Sequence, residues 1–131
     1  MTPDSTKIKV ESLEFFFRSI KVLDQIDLDI AQNTITAVTG PSGQGKSTFL
    51  MTLNRLWEPN PQARISGKIQ VRLKDRFQDI YDSRFKVHTL RRAVGMVFQA
   101  PNPLPMSIYK NIIQFNLLNF SSFNKLTMRI I

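Results

Sequence analysis

Gly40-Pro41-Ser42-Gly43-Gln44-Gly45-Lys46-Ser47-Thr48 is the stretch on which the fold turns. It satisfies the pattern G-x-x-x-x-G-K-[ST] at every fixed position. A chain that wraps a phosphate has to aim several backbone N–H groups at one point. Residues without a Cβ permit that approach and those backbone angles, hence glycine at 40, 43 and 45. The loop is expected to open a helix, whose unpaired N–H groups and dipole also favour an anion. In such a loop Lys46 reaches the β and γ phosphates, the Ser47 hydroxyl ligates Mg²⁺, and Thr48 adds a hydroxyl or backbone donor. The plain alternative is a glycine-rich turn with a lysine after it. The flanks argue against that. Residues 33–39 (Asn-Thr-Ile-Thr-Ala-Val-Thr) read as a buried strand entering the loop, and Phe49 to Trp57 reads as an amphipathic helix leaving it.

Upstream, Ile8 to Phe15 alternates apolar and polar residues, as a half-buried strand does. Phe16 and Phe17 break the alternation at its end. Val22 to Ile30 alternates again, with Ile26, Leu28 and Ile30 on one face and Asp27 and Asp29 on the other, solvated one. Gln32-Asn33 fits a tight turn, giving a hairpin into the strand that feeds the loop.

Downstream, Glu58-Pro59-Asn60-Pro61 stops the helix. Trp57 at its end reads as a packing residue. Ile65 to Leu73 is another alternating strand, with Ile69, Val71 and Leu73 inward. Asp79 to Asp82 suggests a short strand or turn, and Phe85 to Ala93 a short basic helix. His88, the single histidine, has no neighbouring acid or nucleophile in this stretch and reads as a surface residue. Ala93 to Phe98 is a continuous apolar run, the pattern of a strand covered on both faces, and it ends at Gln99. Three prolines at 101, 103 and 105 then forbid regular structure. Ser107 is placed to cap a helix from Ile108 to about Asn116.

The 131 residues suffice for one domain with a core, at the small end for a nucleotide-binding fold. Hydrophobic content of 42% and charged content of 21% are those of a folded chain. A net charge of +8 favours phosphate-rich or membrane-surface partners. The basic residues are scattered, with no run beyond Arg91-Arg92, so nucleic acid is not expected as a direct partner. Cysteine is absent, which excludes a disulfide framework. No apolar stretch is long enough to span a bilayer, and Met1 to Lys7 carries no apolar signal core. Any membrane role is expected to pass through a partner.

Together these landmarks resemble the ATP-binding subunit of ABC transporters. The phosphate loop alone would not separate that family from others with the same loop. The separating stretch is Val94 to Ile112, with Gln99 at the end of an apolar strand, as in the family's Q-loop. The wording Asn102-Pro103-Leu104-Pro105-Met106-Ser107-Ile108-Tyr109 is similar to the phosphate-import subgroup. So is Thr52-Leu53-Asn54-Arg55-Leu56 followed by Asn60-Pro61. The resemblance covers about residues 8 to 114. It implies an α/β fold, the N-terminal part of a P-loop NTPase domain. A mixed or antiparallel β subdomain would be joined to the start of a parallel core sheet, in an incomplete domain. Residues 1–114 would form that part, and 115–131 a divergent or out-of-frame tail.

The resemblance also implies roles. Phe17 stands where the family carries an aromatic that stacks on adenine, usually a Tyr followed by Gly, whereas here Arg18 follows. Phe15 and Phe16 offer the same π face, and the sequence does not choose among the three. Gly40, Pro41, Ser42, Gly43, Gln44, Gly45, Lys46, Ser47 and Thr48 would hold the triphosphate of ATP. Lys46 and Gln99 would act on the transferring phosphate and the attacking water, and Ser47 and Gln99 would contact Mg²⁺. Gln99 to Asn111 would line the groove where a membrane subunit docks. A second ATP-binding subunit would complete the site, and the protein would sit peripherally on the cytoplasmic face of the plasma membrane.

The family also needs a Leu-Ser-Gly-Gly-Gln type signature, an apolar strand ending in Asp-Glu, and a switch histidine. Residues 100–131 contain none of these, and no Asp or Glu follows Asp82. A loop of this kind without that acidic pair recognises phosphate but lacks the groups that orient metal and water. The sequence therefore predicts nucleotide binding without turnover. It also predicts an unpaired sheet edge with exposed apolar surface beside the loop strand. An ATP-binding subunit for a solute other than phosphate is one alternative, and two readings of other kinds stand beside it. One is a non-catalytic fragment docking on a membrane subunit. The other is a small phosphotransferase, for which Arg91-Arg92 are poorly placed as a lid.

Overall fold

The computed structural model describes residues 6–100, 103–117 and 126–129. Pro101 and Asn102 of the proline loop, residues 1–5, and residues 118–125 and 130–131 of the tail read from 115 lie outside that set.

Four strands make one antiparallel sheet: β1 (Thr6–Phe17), β2 (Ile20–Ala31), β3 (Ala63–Leu73) and β4 (Arg76–Asp79), in the order β2-β1-β3-β4. The alternation in the sequence is what places them. Ile8 and Val10 point inward from β1, then the phase slips and Leu13 and Phe15 point inward. The slip is a bulge at Ser12, which takes a left-handed backbone (φ 46) and donates its N–H to the Asp27 carboxylate at 2.7 Å. The neighbouring strand answers with Gly67 at φ +90. A Cβ there would stand 2.3 Å from the Ser12 carbonyl oxygen, so only glycine lets β3 pass the bulge.

Two short helices, α1 (Lys46–Thr52) and α2 (Val87–Ala93), supply the other side of the core. Phe49 and Leu53, Leu90 from α2, and Val94 cluster with Ile8, Leu13, Ile69 and Val71 of the sheet. Each fully buried aliphatic side chain here stabilises the fold by about 1.5–3 kcal/mol relative to exposure. β5 (Val94–Val97) pairs in parallel with β6 (Leu126–Arg129) as a separate two-stranded sheet. A final helix, α3 (Ile108–Leu117), follows the proline loop. Antiparallel subdomain and parallel start are both present, as expected.

Three local expectations are corrected. The buried strand expected over residues 33–39 is not formed. Gln32 and Asn33 do turn, but the chain beyond them pairs with nothing among the described residues, and Ile35 is 101% exposed. A strand covered on both faces needs neighbours on both sides, and the described residues place none beside it. β2 is instead hairpinned to β1 through the two-residue turn Arg18-Ser19. The loop helix ends at Thr52, not at Trp57. Its last turn tightens as Leu53 donates to the Leu50 carbonyl, and Arg55 then enters the left-handed region (φ 59). Finally, the apolar run 94–98 is covered only at its start: Val94 is buried while Val97 and Phe98 are about half exposed.

Candidate functional site

Gly45 begins the site. It takes φ 83 and ψ 8 immediately before α1, and its carbonyl accepts the first helical bond, from Phe49 N–H at 2.8 Å. A Cβ on Gly45 would lie 2.9 Å from Leu23 Cδ2 and 3.1 Å from the Val22 carbonyl oxygen. The loop is therefore seated directly against β2, and the glycine is what permits the seat. The first N–H groups of α1 have no partner inside the helix, and its first turn carries no acidic residue that would repel an anion.

The Lys46 ammonium folds back across the loop and donates to the carbonyls of Gly40 (2.8 Å) and Pro41 (2.7 Å). It forms no ion pair among the described residues. Its charge is thus held at the mouth of the loop by neutral acceptors.

A cleft of about 760 Å³ opens beside Thr48. Phe17, Val22, Met51, Trp57 and Asn60 contribute walls. The three phenylalanines of the sequence separate here. Phe15 is 5% exposed and sits edge-on to Trp57, with centroids 5.5 Å apart. The Phe16 ring lies between Lys21 and Arg64, each 5.4 Å from its centroid. Phe15 and Phe17 both line the cleft with Thr48, Phe15 buried and Phe17 half-buried, while Phe16 does not. Trp57 packs against the core, as expected, and also lines the cleft, which was not expected. Val22, Met51 and Asn60 were not anticipated either. The short Arg18-Ser19 connection between two alternating segments was the available signal, since a hairpin there pairs Phe17 with Ile20 and brings the start of β2 beside it.

A polar scaffold fixes the wall behind α1. Trp57 Nε1 donates to the Tyr81 hydroxyl, and that hydroxyl donates to the Thr52 carbonyl. Burial holds the Tyr81 phenol well above its ordinary range, so it remains a donor. Arg55 reaches Glu58 (2.6 Å) and the Ile80 carbonyl (2.8 Å), with its guanidinium over the Tyr81 ring. Arg91 donates to the carbonyls of Asn54 and Arg55.

Gln99 lies two residues beyond β5, exposed, and makes no hydrogen bond to Gly40–Thr48 among the described residues. The loop after it is built around Asn111. That side chain accepts from Leu104 N–H (2.9 Å) and donates to the carbonyls of Leu104, Met106 and Ser107. Ser107 Oγ caps α3 by accepting from Lys110 N–H (3.3 Å). Leu104, Met106, Ile108, Tyr109 and Ile112 are left exposed around it. His88 is exposed, as read from the sequence.

No group of three His, Cys, Asp or Glu converges among the described residues. The side-chain oxygens available in the loop, those of Ser42, Gln44, Ser47 and Thr48, are all neutral. A hard cation such as Mg²⁺ fits that set when most of its ligands come with a bound polyphosphate, and not as an ion caged by the protein alone. No helix among the described residues is long and apolar enough to cross a membrane.

Comparison with known proteins bears on the family and the fold. The family model described as ABC transporter matches residues 23–129. The chain is 48% identical over 106 residues to the phosphate import ATP-binding protein PstB 5 of Trichormus variabilis, covering 80% of this chain and 39% of that protein. It is 49% identical over 105 residues to PstB 2 of Gloeobacter violaceus, covering 79% and 37%. It therefore spans about two-fifths of the length of these curated relatives. Among solved structures, a bacterial Atm1-family ABC exporter with ATP bound superposes with a TM-score of 0.67 at 25% identity, over 87% of this chain and 18% of the exporter. On its Gly40–Thr48 motif, its antiparallel sheet and these matches, the chain belongs to the ABC transporter family.

Proposed function

We propose that this chain supplies the nucleotide-holding part of the ATP-binding component of an importer, with inorganic phosphate as the transported solute. Gly40–Thr48 takes the triphosphate of ATP, Phe17 stacks on the base, and Ser47 ligates the Mg²⁺ that arrives with the phosphates. Lys46 carries the reading: its ammonium is held across the loop by two neutral carbonyls, which a phosphate oxygen outcompetes by charge. The solute is supported by similarity to the phosphate-import relatives. Since no Asp or Glu follows Asp82, binding without turnover is the expected behaviour of this chain. ATP titration followed by calorimetry tests this. Binding should weaken at least about tenfold in Lys46→Ala, matching the loss of a charge-assisted contact. Equal affinity in both proteins, or a metal-dependent ATPase rate abolished by Lys46→Ala, would overturn it.

A second reading rests on the exposed side chains around Asn111. Leu104, Met106, Ile108, Tyr109 and Ile112 give the Gln99–Asn111 region an apolar surface. We assign it to docking on a membrane subunit, which would place the chain at the cytoplasmic face of the membrane, with a second ATP-binding subunit opposite. Pull-down with the membrane subunits discriminates the two readings, and absence of any association removes this one.

A further inference from the structure

Arg18 occupies the left-handed region (φ 55) in the turn between β1 and β2. A bulky side chain is disfavoured there, and Gly, Asn or Asp is the ordinary occupant of such a turn. The strain is offset by three contacts. The backbone N–H of Arg18 donates to the Gln62 carbonyl at 2.8 Å. Its Nε donates to Gln62 Oε1 at 2.9 Å. Its guanidinium carbon lies 5.5 Å from the centroid of the Phe17 ring. Gln62 is itself held, donating its N–H to Asn60 Oδ1 at 3.0 Å. Phe17 and Asn60 line the cleft and Arg18 does not. The guanidinium thus stands over the Phe17 ring without itself lining the cleft.

We propose that Arg18, clamped by Gln62, is a positioning residue that sets the affinity of the cleft for the base of the nucleotide. This rests on the reading of Gly40–Thr48 as the triphosphate site. A cation against one side of a ring draws its π density toward that side. The cleft side then makes a better partner for an electron-rich aromatic such as a purine, whose stacking is governed by the same charge distribution. The clamp also fixes the Phe17 ring in place, so less side-chain freedom is lost when a base binds. Arg18 touches neither the phosphates nor the loop in this arrangement, and its influence is confined to the base.

The test uses the full chain and two ligands, ATP and inorganic tripolyphosphate, titrated by calorimetry and by fluorescence of Trp57, the single tryptophan. Arg18→Gly removes the guanidinium while relieving the left-handed strain. The expected result is an ATP Kd raised roughly three- to five-fold, the scale of an exposed cation–π contact, with the tripolyphosphate Kd unchanged. Gln62→Ala, which keeps the charge and releases the clamp, should shift ATP in the same direction. Arg18→Lys should recover part of the loss. Unchanged ATP affinity in Arg18→Gly overturns the proposal. So does an equal loss for both ligands, which marks a merely structural role. If the unsubstituted chain binds tripolyphosphate but gains nothing from the base, only the assignment of Arg18 and Phe17 falls. If it binds neither, the triphosphate reading falls and this proposal with it.

Discussion

Trp57 donates its indole N–H to the Tyr81 hydroxyl across 2.8 Å, and the hydroxyl donates onward to the Thr52 carbonyl at the same distance. One phenol thus joins the last residue of the loop helix to the cleft wall and to the segment after β4. Tyr81→Phe keeps the ring and removes the joint, leaving the Trp57 donor and the Thr52 acceptor without it. Urea unfolding should show a loss of about 2 kcal/mol.

The same residue gives a pH signature. The phenol ordinarily titrates near 10.0 and burial raises it in the fold. Above that pH the unfolded chain releases this proton while the folded chain keeps it, so the unfolded state binds fewer protons and stability falls as pH rises. Below pH 10 the contribution is fully present. The slope should reach at most about 1.4 kcal/mol per pH unit. Comparing unfolding of the unsubstituted chain and Tyr81→Phe between pH 9 and 11 isolates it, because the variant lacks the excess slope.

Gly45 and Gly43 share φ +83 but differ in surroundings. A Cβ on Gly43 meets nothing within 4 Å, whereas one on Gly45 runs into Leu23 and Val22. Gly43→Ala should therefore cost only backbone strain, about 1 kcal/mol. Gly45→Ala should cost about 1–2 kcal/mol more and lift the loop from β2. Thermal melts of the two variants, run side by side, check the order.

Gly67→Ala places a methyl 2.3 Å from the Ser12 carbonyl oxygen, which belongs to the backbone and cannot swing aside. The β1–β3 pairing has to open at the bulge, at a cost of about 2 kcal/mol or more. Hydrogen exchange should then accelerate at the pairs flanking it, Glu11↔Lys68 and Glu14↔Ser66.

Asn111→Ala removes four bonds that fasten the loop before α3. Proteolysis within residues 103–107 should rise several-fold while the melting temperature of the sheet stays within a few degrees. The Asn111 bonds are all exposed, and none reaches the main core.

The sequence made the local elements legible and left their supports unread. Alternation placed β1, β2 and β3, because each buries one face and inward and outward residues differ in polarity. The loop motif was legible because its glycines answer to backbone geometry that tolerates little else. The pairing of β1 with β3 joins residues 46 to 63 positions apart, from Phe17↔Ala63 to Ile8↔Val71, and nothing in a local pattern encodes that. Trp57, Tyr81, Arg55 and Arg91 meet only through that long-range assembly. Residues 34–39 were misread for the opposite reason. Their pattern specifies a strand with neighbours on both sides, and a pattern cannot say whether the neighbours are present.

That segment changes how the phosphate loop is held. Its exit is seated against β2 at Gly45, while its entry pairs with no strand among the described residues and is tied only at its start, where the Thr34 hydroxyl donates to the Ala31 carbonyl at 3.0 Å. The loop is a bracket fixed at one end. Whatever orders the entry stem and whatever fills the loop draw on the same conformational freedom, so each lowers the cost of the other. On the proposed reading of Gly40–Thr48, a polypeptide strand laid along residues 34–39 would tighten nucleotide binding without touching the nucleotide, and the nucleotide would recruit the strand by the same factor.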